Sequence, residues 1–76
     1  MSLEQITVIG LISKIMDRYV VTTEDGTEYE LSAILPWEAV SPDVGSGAFA
    51  LHLGKKMQVT GQSDGSTIYG AQLEDI

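Results

Sequence analysis

Apolar and polar residues alternate along several short segments of this chain. In 57–60, methionine and valine alternate with glutamine and threonine, and in 27–31 a tyrosine and a leucine alternate with glutamates. Neighbouring side chains of a β-strand point to opposite faces, so a period of two marks a strand with one buried face. The pattern therefore predicts β-strands, with Tyr29 and Leu31 facing a core and Glu28 and Glu30 facing outward.

Turn residues separate the alternating segments. Asp25-Gly26 and Asp64-Gly65 are Asp-Gly pairs of the kind that joins hairpin strands, because both residue types tolerate a positive φ. The resulting pattern predicts five strands, over 6–16, 19–23, 27–31, 55–60 and 67–73. Gly10 interrupts the first of them, which predicts a bend that lets this strand pair on both sides and close a barrel.

Residues 33–53 follow a different pattern. Two prolines break any strand there, and the segment 48–53 is the best candidate for a helix of one to two turns. We expect this helix to plug one end of the barrel, with Phe49, Leu51 and Trp37 covering it.

Three motifs carry a resemblance to a known fold family. They are Val8-x-Gly10-x-Ile12, the run from Tyr19 to Leu31 around Asp25-Gly26, and Leu53-Gly54-Lys55-Lys56-Met57-x-Val59-x-Gly61. The chain resembles small bacterial OB-fold domains, including stand-alone families of uncharacterised role, over most of its length. It departs from them in the longer segment 34–47, and the motifs describe strands and turns rather than chemistry.

This reasoning predicts an all-β fold built as one domain over 1–76. The expected architecture is a five-stranded OB-like Greek-key barrel with a short helix between strands 3 and 4. An SH3-like barrel is the alternative, and a helix near 48–53 argues against it.

The net charge of the chain limits the classes of partner that it is expected to bind. Eleven acidic residues against four basic ones give a net charge of −7, which opposes non-specific binding to nucleic acid and to anionic membranes. The chain has no apolar run long enough for a membrane span and no recognisable secretion signal. We therefore expect a cytoplasmic protein without membrane contact. A secreted protein whose signal has been removed is the alternative location.

The inventory of reactive side chains predicts that the protein is not an enzyme. His52 is the sole histidine and cysteine is absent, so one chain offers neither a thiolate nor a three-histidine zinc site. No nucleophile–base signature or phosphate-binding loop is present. We expect no catalytic residue, no metal and no cofactor.

With catalysis not expected, the remaining function class is binding, and the segment 34–47 is the best candidate for the binding surface. Trp37, Glu38 and Val40 are the predicted partner-binding residues, with the loops 24–27 and 63–66 beside them. An exposed tryptophan among apolar residues is a typical interface anchor, and a basic protein partner would complement the charge of −7. The chain itself is expected to be a monomer or a weak homo-oligomer.

The alternative function is binding of single-stranded nucleic acid. In the expected topology the end of strand 1 lies beside the start of strand 4, so the four basic residues would gather at one end: Lys14, Arg18, Lys55 and Lys56. Such a cluster could contact phosphates, but the outward-facing Glu28 and Glu30 would repel them. Nucleic acid is therefore the less favoured partner.

Overall fold

The computed structural model describes residues 3–35, 37 and 47–76. Over these residues the chain forms five strands and one helical turn. In chain order they are β1 (Glu4–Ile15), β2 (Arg18–Thr23), β3 (Glu28–Leu31), α1 (Gly47–Ala50), β4 (Lys56–Ser63) and β5 (Thr67–Glu74). The predicted all-β class and the five strands are confirmed.

The five strands close into one sheet in the order β1-β2-β3-β5-β4, with β4 returning to β1. All neighbouring strands are antiparallel except β3 and β5, which run parallel through Glu30 with Thr67 and Leu31 with Ile68. The long β1 makes closure possible, because its first part pairs with β4 and its last part with β2.

Gly10 is the residue at which β1 changes partners. It lies opposite Thr23 in one ladder and opposite Met57 in the other. A Cβ at this position would lie 2.3 Å from the carbonyl oxygen of Thr22, so the close approach of β2 requires a glycine. The prediction that the first strand pairs on both sides is confirmed.

The core fills the inside of the closed sheet. Its buried residues are Ile12, Val21, Leu31, Phe49, Met57, Val59 and Ile68. Six of them come from inward-facing positions of the strands and Phe49 comes from α1. A fully buried side chain of this kind contributes about 1.5–3 kcal/mol. On β3, Leu31 is buried while the side chain of Glu30 is partly exposed, in agreement with the predicted alternation.

Phe49 covers the end of the core at the start of β2. Its side chain is 2% exposed, and its ring meets that of Tyr19 edge to face with the centroids 5.7 Å apart. This part of the predicted plug is confirmed. Leu51 and Trp37, however, are 76% and 67% exposed, so the prediction that they help to cover this end is wrong.

The helix is shorter than the predicted 48–53. One bond of α-helical spacing joins the amide of Leu51 to the carbonyl of Gly47, and tighter bonds follow from His52 to Phe49 and from Lys55 to His52. The chain then leaves through Gly54 at φ 79°. Leu51 follows Phe49 by two residues, which is about 200° around a helical turn, so its side chain points away from the side that buries Phe49. No helix in the described residues is long and apolar enough to cross a membrane.

The first hairpin turn lies one residue earlier than the sequence indicates. Ile15 pairs with Arg18, so the turn consists of Met16 and Asp17 rather than Asp17 and Arg18. Met16 adopts a φ of 57°, a conformation that usually calls for glycine or asparagine.

Candidate functional site

The β2–β3 and β4–β5 turns lie at the same end of the closed sheet. Because β3 and β5 are parallel and Glu30 pairs with Thr67, the residues just before each strand are neighbours. The amide of Glu30 donates a hydrogen bond of 2.9 Å to the carbonyl of Ser66, which links β3 to the β4–β5 turn. The structure thus brings together the two loops that the sequence assigned to a recognition surface.

One aspartate organises each of these turns. Asp25 Oδ1 accepts hydrogen bonds from the hydroxyl of Thr23 and from the amide of Thr27. Asp64 Oδ1 accepts bonds from the amides of Ser66 and Thr67, at 3.0 and 2.9 Å. These bonds favour the charged carboxylates, and they lower the pKa of both groups from the ordinary value.

An open cavity of about 760 Å³ lies beside the β2–β3 turn. We call it the mouth pocket. Its apolar lining comes from Val8, Ile9, Tyr29 and Ile76, and its charged rim from Glu24, Asp25 and Lys56. Thr23 also lines this pocket. It lies four residues after Tyr19 on β2, which corresponds to about 13 Å along the strand. The mouth pocket is therefore at the opposite end of β2 from the Phe49 plug.

Three charged side chains lie on the rim of the mouth pocket. Lys56 Nζ lies 2.5 Å from Glu24 Oε1 and donates a hydrogen bond to it. This bond, and then the positive charge of Lys56, lower the pKa of Glu24. With Asp25 ionised as well, the three side chains sum to one negative charge, on a rim that surrounds an apolar surface.

Asp25 keeps hydrogen-bonding capacity for a ligand. The bonds from the Thr23 hydroxyl and the Thr27 amide both go to its Oδ1, and the Thr27 side chain also bonds to this carboxylate. A carboxylate oxygen of this kind readily accepts a bond from a lysine or arginine of a partner.

The four basic residues differ in the contacts that they make. Lys14 and Arg18 lie at neighbouring positions of the β1–β2 hairpin, where Lys14 Nζ sits 5.6 Å from the ring centroid of Tyr19 and Arg18 Nε lies 3.7 Å from Glu30 Oε1. Lys55 joins β1 through its backbone, since its carbonyl accepts the amide of Ile12. Lys56 is held by Glu24 at the mouth pocket. Two of the four therefore already have carboxylate partners.

The predicted partner-binding residues are described only in part. Trp37 is 67% exposed, as a surface anchor requires. Glu38 and Val40 lie outside the described residues.

The mouth pocket itself was not predicted from the sequence, although its loop 24–27 was. Val8 and Tyr29 have the period-two parity of core residues, and nothing in that parity shows that they line an open cavity. The available signal was the number of helical segments: within the described residues the one short helix covers one end of the closed sheet.

Within the described residues, no group of three or more histidine, cysteine or carboxylate side chains is placed to hold a metal ion. Comparisons with family models, with curated proteins and with solved structures gave no match to this chain.

Proposed function

We propose that this chain is an OB-like Greek-key barrel that acts as a non-enzymatic protein-binding module. The fold proposal is supported by the closed order β1-β2-β3-β5-β4, by the parallel pairing of β3 with β5 and by the helical turn between β3 and β4. OB-folds are five-stranded Greek-key barrels with a recognition role, which makes binding the natural function class for such a domain.

The mouth pocket is the observation that carries the function. Ligand sites in barrels favour their mouths, and they combine apolar walls with a few polar groups that fix orientation. Here the apolar lining would receive an aliphatic or aromatic side chain, and the carboxylates of Glu24 and Asp25 would receive a neighbouring lysine or arginine. The partner is therefore a protein segment that places basic residues beside apolar ones.

Trp37 supplies a second contact in this proposal. Tryptophan is enriched among the residues that dominate binding energy, because a large ring buries much surface at low entropic cost. Together with Glu38 and Val40 it would extend the interface beyond the mouth pocket.

A peptide titration tests the proposal. A fluorescently labelled peptide of lysine, leucine and phenylalanine is titrated with the protein, and its anisotropy is followed. Ile9→Glu places a charge on the apolar lining and should weaken binding by about tenfold or more. Leu11→Glu is the matched control, because Leu11 is an exposed residue on the same face of β1 that does not line the mouth pocket.

Three outcomes distinguish the possibilities. Binding that Ile9→Glu weakens and Leu11→Glu leaves unchanged supports the mouth pocket. Equal loss in both variants, or no binding by the parent protein, contradicts it. Labelled single-stranded DNA and RNA at low salt test the alternative, and binding that is abolished by Lys14→Glu with Arg18→Glu would replace the proposed function with nucleic-acid recognition.

A further inference from the structure

The β1–β2 hairpin ends in an exposed apolar tip. Met16 is 90% exposed and Ile15, next to it, is 47% exposed. Met16 also holds a φ of 57°, in the left-handed region that costs energy for a residue with a Cβ. Glycine or asparagine would relax this turn. An apolar residue that is both strained and exposed points to a contact made outside the chain.

Two of the four basic residues of the chain flank this tip. We call residues 14–18 the hairpin tip. Lys14 and Arg18 give it two positive charges and Asp17 one negative charge, so its net charge is positive in a chain of net charge −7. Arg18 approaches Glu30 at 3.7 Å, but both side chains are substantially exposed, and such a pair exchanges partners at little cost.

The hairpin tip and the mouth pocket are complementary in chemistry. The tip presents an apolar pair between cations, and the mouth pocket presents an apolar lining inside a rim of net negative charge. A methionine side chain adapts its shape to an irregular apolar pocket better than a branched one does.

The two features also lie at opposite ends of β2. The tip precedes the first residue of β2 and the mouth pocket adjoins its last residue. A contact between them is therefore excluded within one chain. Between chains it is heterologous, with the tip of one copy meeting the mouth of the next.

We propose that copies of this chain associate head to tail, with Ile15 and Met16 of one copy in the mouth pocket of the next. The inference rests on the proposed function, because it names a second copy as the occupant of the same pocket. The shared net charge of −7 repels the copies at long range, so the association is weak and appears at high protein concentration.

Two variants, each blocked on one side, test this arrangement. Met16→Asn removes the apolar tip and at the same time favours the positive φ, so the fold should be at least as stable as the parent in a urea titration. Ile9→Glu blocks the mouth pocket. In sedimentation velocity, each variant alone should remain a monomer at concentrations where the parent associates.

Mixing the two variants gives the decisive result. The intact tip of the Ile9→Glu chain can enter the intact mouth of the Met16→Asn chain, and no further copy can be added at either end. The equimolar mixture should therefore form a one-to-one dimer and nothing larger. A parent that stays monomeric, a Met16→Asn chain that associates like the parent, or a mixture without dimer would each overturn the head-to-tail contact. If the peptide titration still shows binding at the mouth pocket in those cases, the proposed function stands and only the second-copy occupant is wrong.

Discussion

Single residues decide where this chain bends. Gly10 could be identified from the sequence as an interruption of an otherwise β-branched strand, and the structure shows the physical reason, a carbonyl of β2 in the space of its missing side chain. Met16 could not be identified, because nothing in a methionine signals a positive φ. The sequence therefore placed the first turn one residue too late.

Gly10→Ala should lower the free energy of unfolding by about 2–3 kcal/mol, at the upper end of the cost of overpacking, since the new methyl group meets backbone that cannot rotate away. Urea unfolding followed by circular dichroism measures this. Gly47→Ala is the control, because a Cβ there meets nothing within 4 Å and alanine favours the helical turn. We expect it to change stability by less than about 1 kcal/mol. Equal effects of the two substitutions would contradict the role given to Gly10.

Turns are the elements that the sequence predicted most directly. Each Asp-Gly pair lies in a turn, with Gly26 at φ 89° and Gly65 at φ 104°. The aspartate before each glycine holds the turn through bonds to one carboxylate oxygen. The helix was predicted less well. The segment between Gly47 and Gly54 is short, so tertiary packing rather than helix propensity determines how many turns it forms.

The two aspartates should make stability depend on pH. Their bonds lower the folded pKa of Asp25 and Asp64 below the ordinary value of 3.8. A depressed folded pKa means that the stabilisation is fully present above the unfolded pKa and is lost as the pH falls through the folded pKa. Urea midpoints of the parent should therefore fall from about pH 5 downward.

Asp64→Asn isolates one of these contributions. The amide oxygen can still accept hydrogen bonds but carries no charge, so the variant should be less stable than the parent at pH 7. The difference between the two should shrink as the pH falls, because protonation removes the same charge from the parent. A gap that is constant from pH 7 to low pH would contradict the assignment of this pH dependence to Asp64.

At the scale of the whole molecule, Phe49 covers one end of the closed sheet, and within the described residues an open cavity lies beside the β2–β3 turn. The sequence predicted the strands, their inward faces and Phe49 as part of the plug, because periodicity and local spacing encode these features. It did not predict the exposure of Leu51 and Trp37 or the mouth pocket. The exposure of these side chains and the shape of the pocket depend on how many side chains fit at the end of the closed sheet. That number is set only when the strands have assembled.

Phe49→Ala should test the plug. Removing a buried phenylalanine costs about 3–5 kcal/mol, against a total of about 4–11 kcal/mol for a domain of this size. We expect a loss of a third or more of the unfolding free energy in urea titration. Leu51→Ala, two residues away and largely exposed, should change it by less than about 0.5 kcal/mol. Similar losses in both variants would mean that Phe49 does not close this end.

The parallel seam between β3 and β5 has a kinetic consequence. Nearly half of the chain lies between Glu30 and its partner Thr67, whereas β1 and β2 are joined by a two-residue turn. Bringing such distant segments together carries a larger loop-closure entropy than closing the β1–β2 hairpin, so we expect the seam to form after that hairpin and to open before it in the native state. Amide hydrogen exchange would reveal this order, with the seam amides of Ser32 and Ala71 exchanging faster than those of the ladder between β1 and β2.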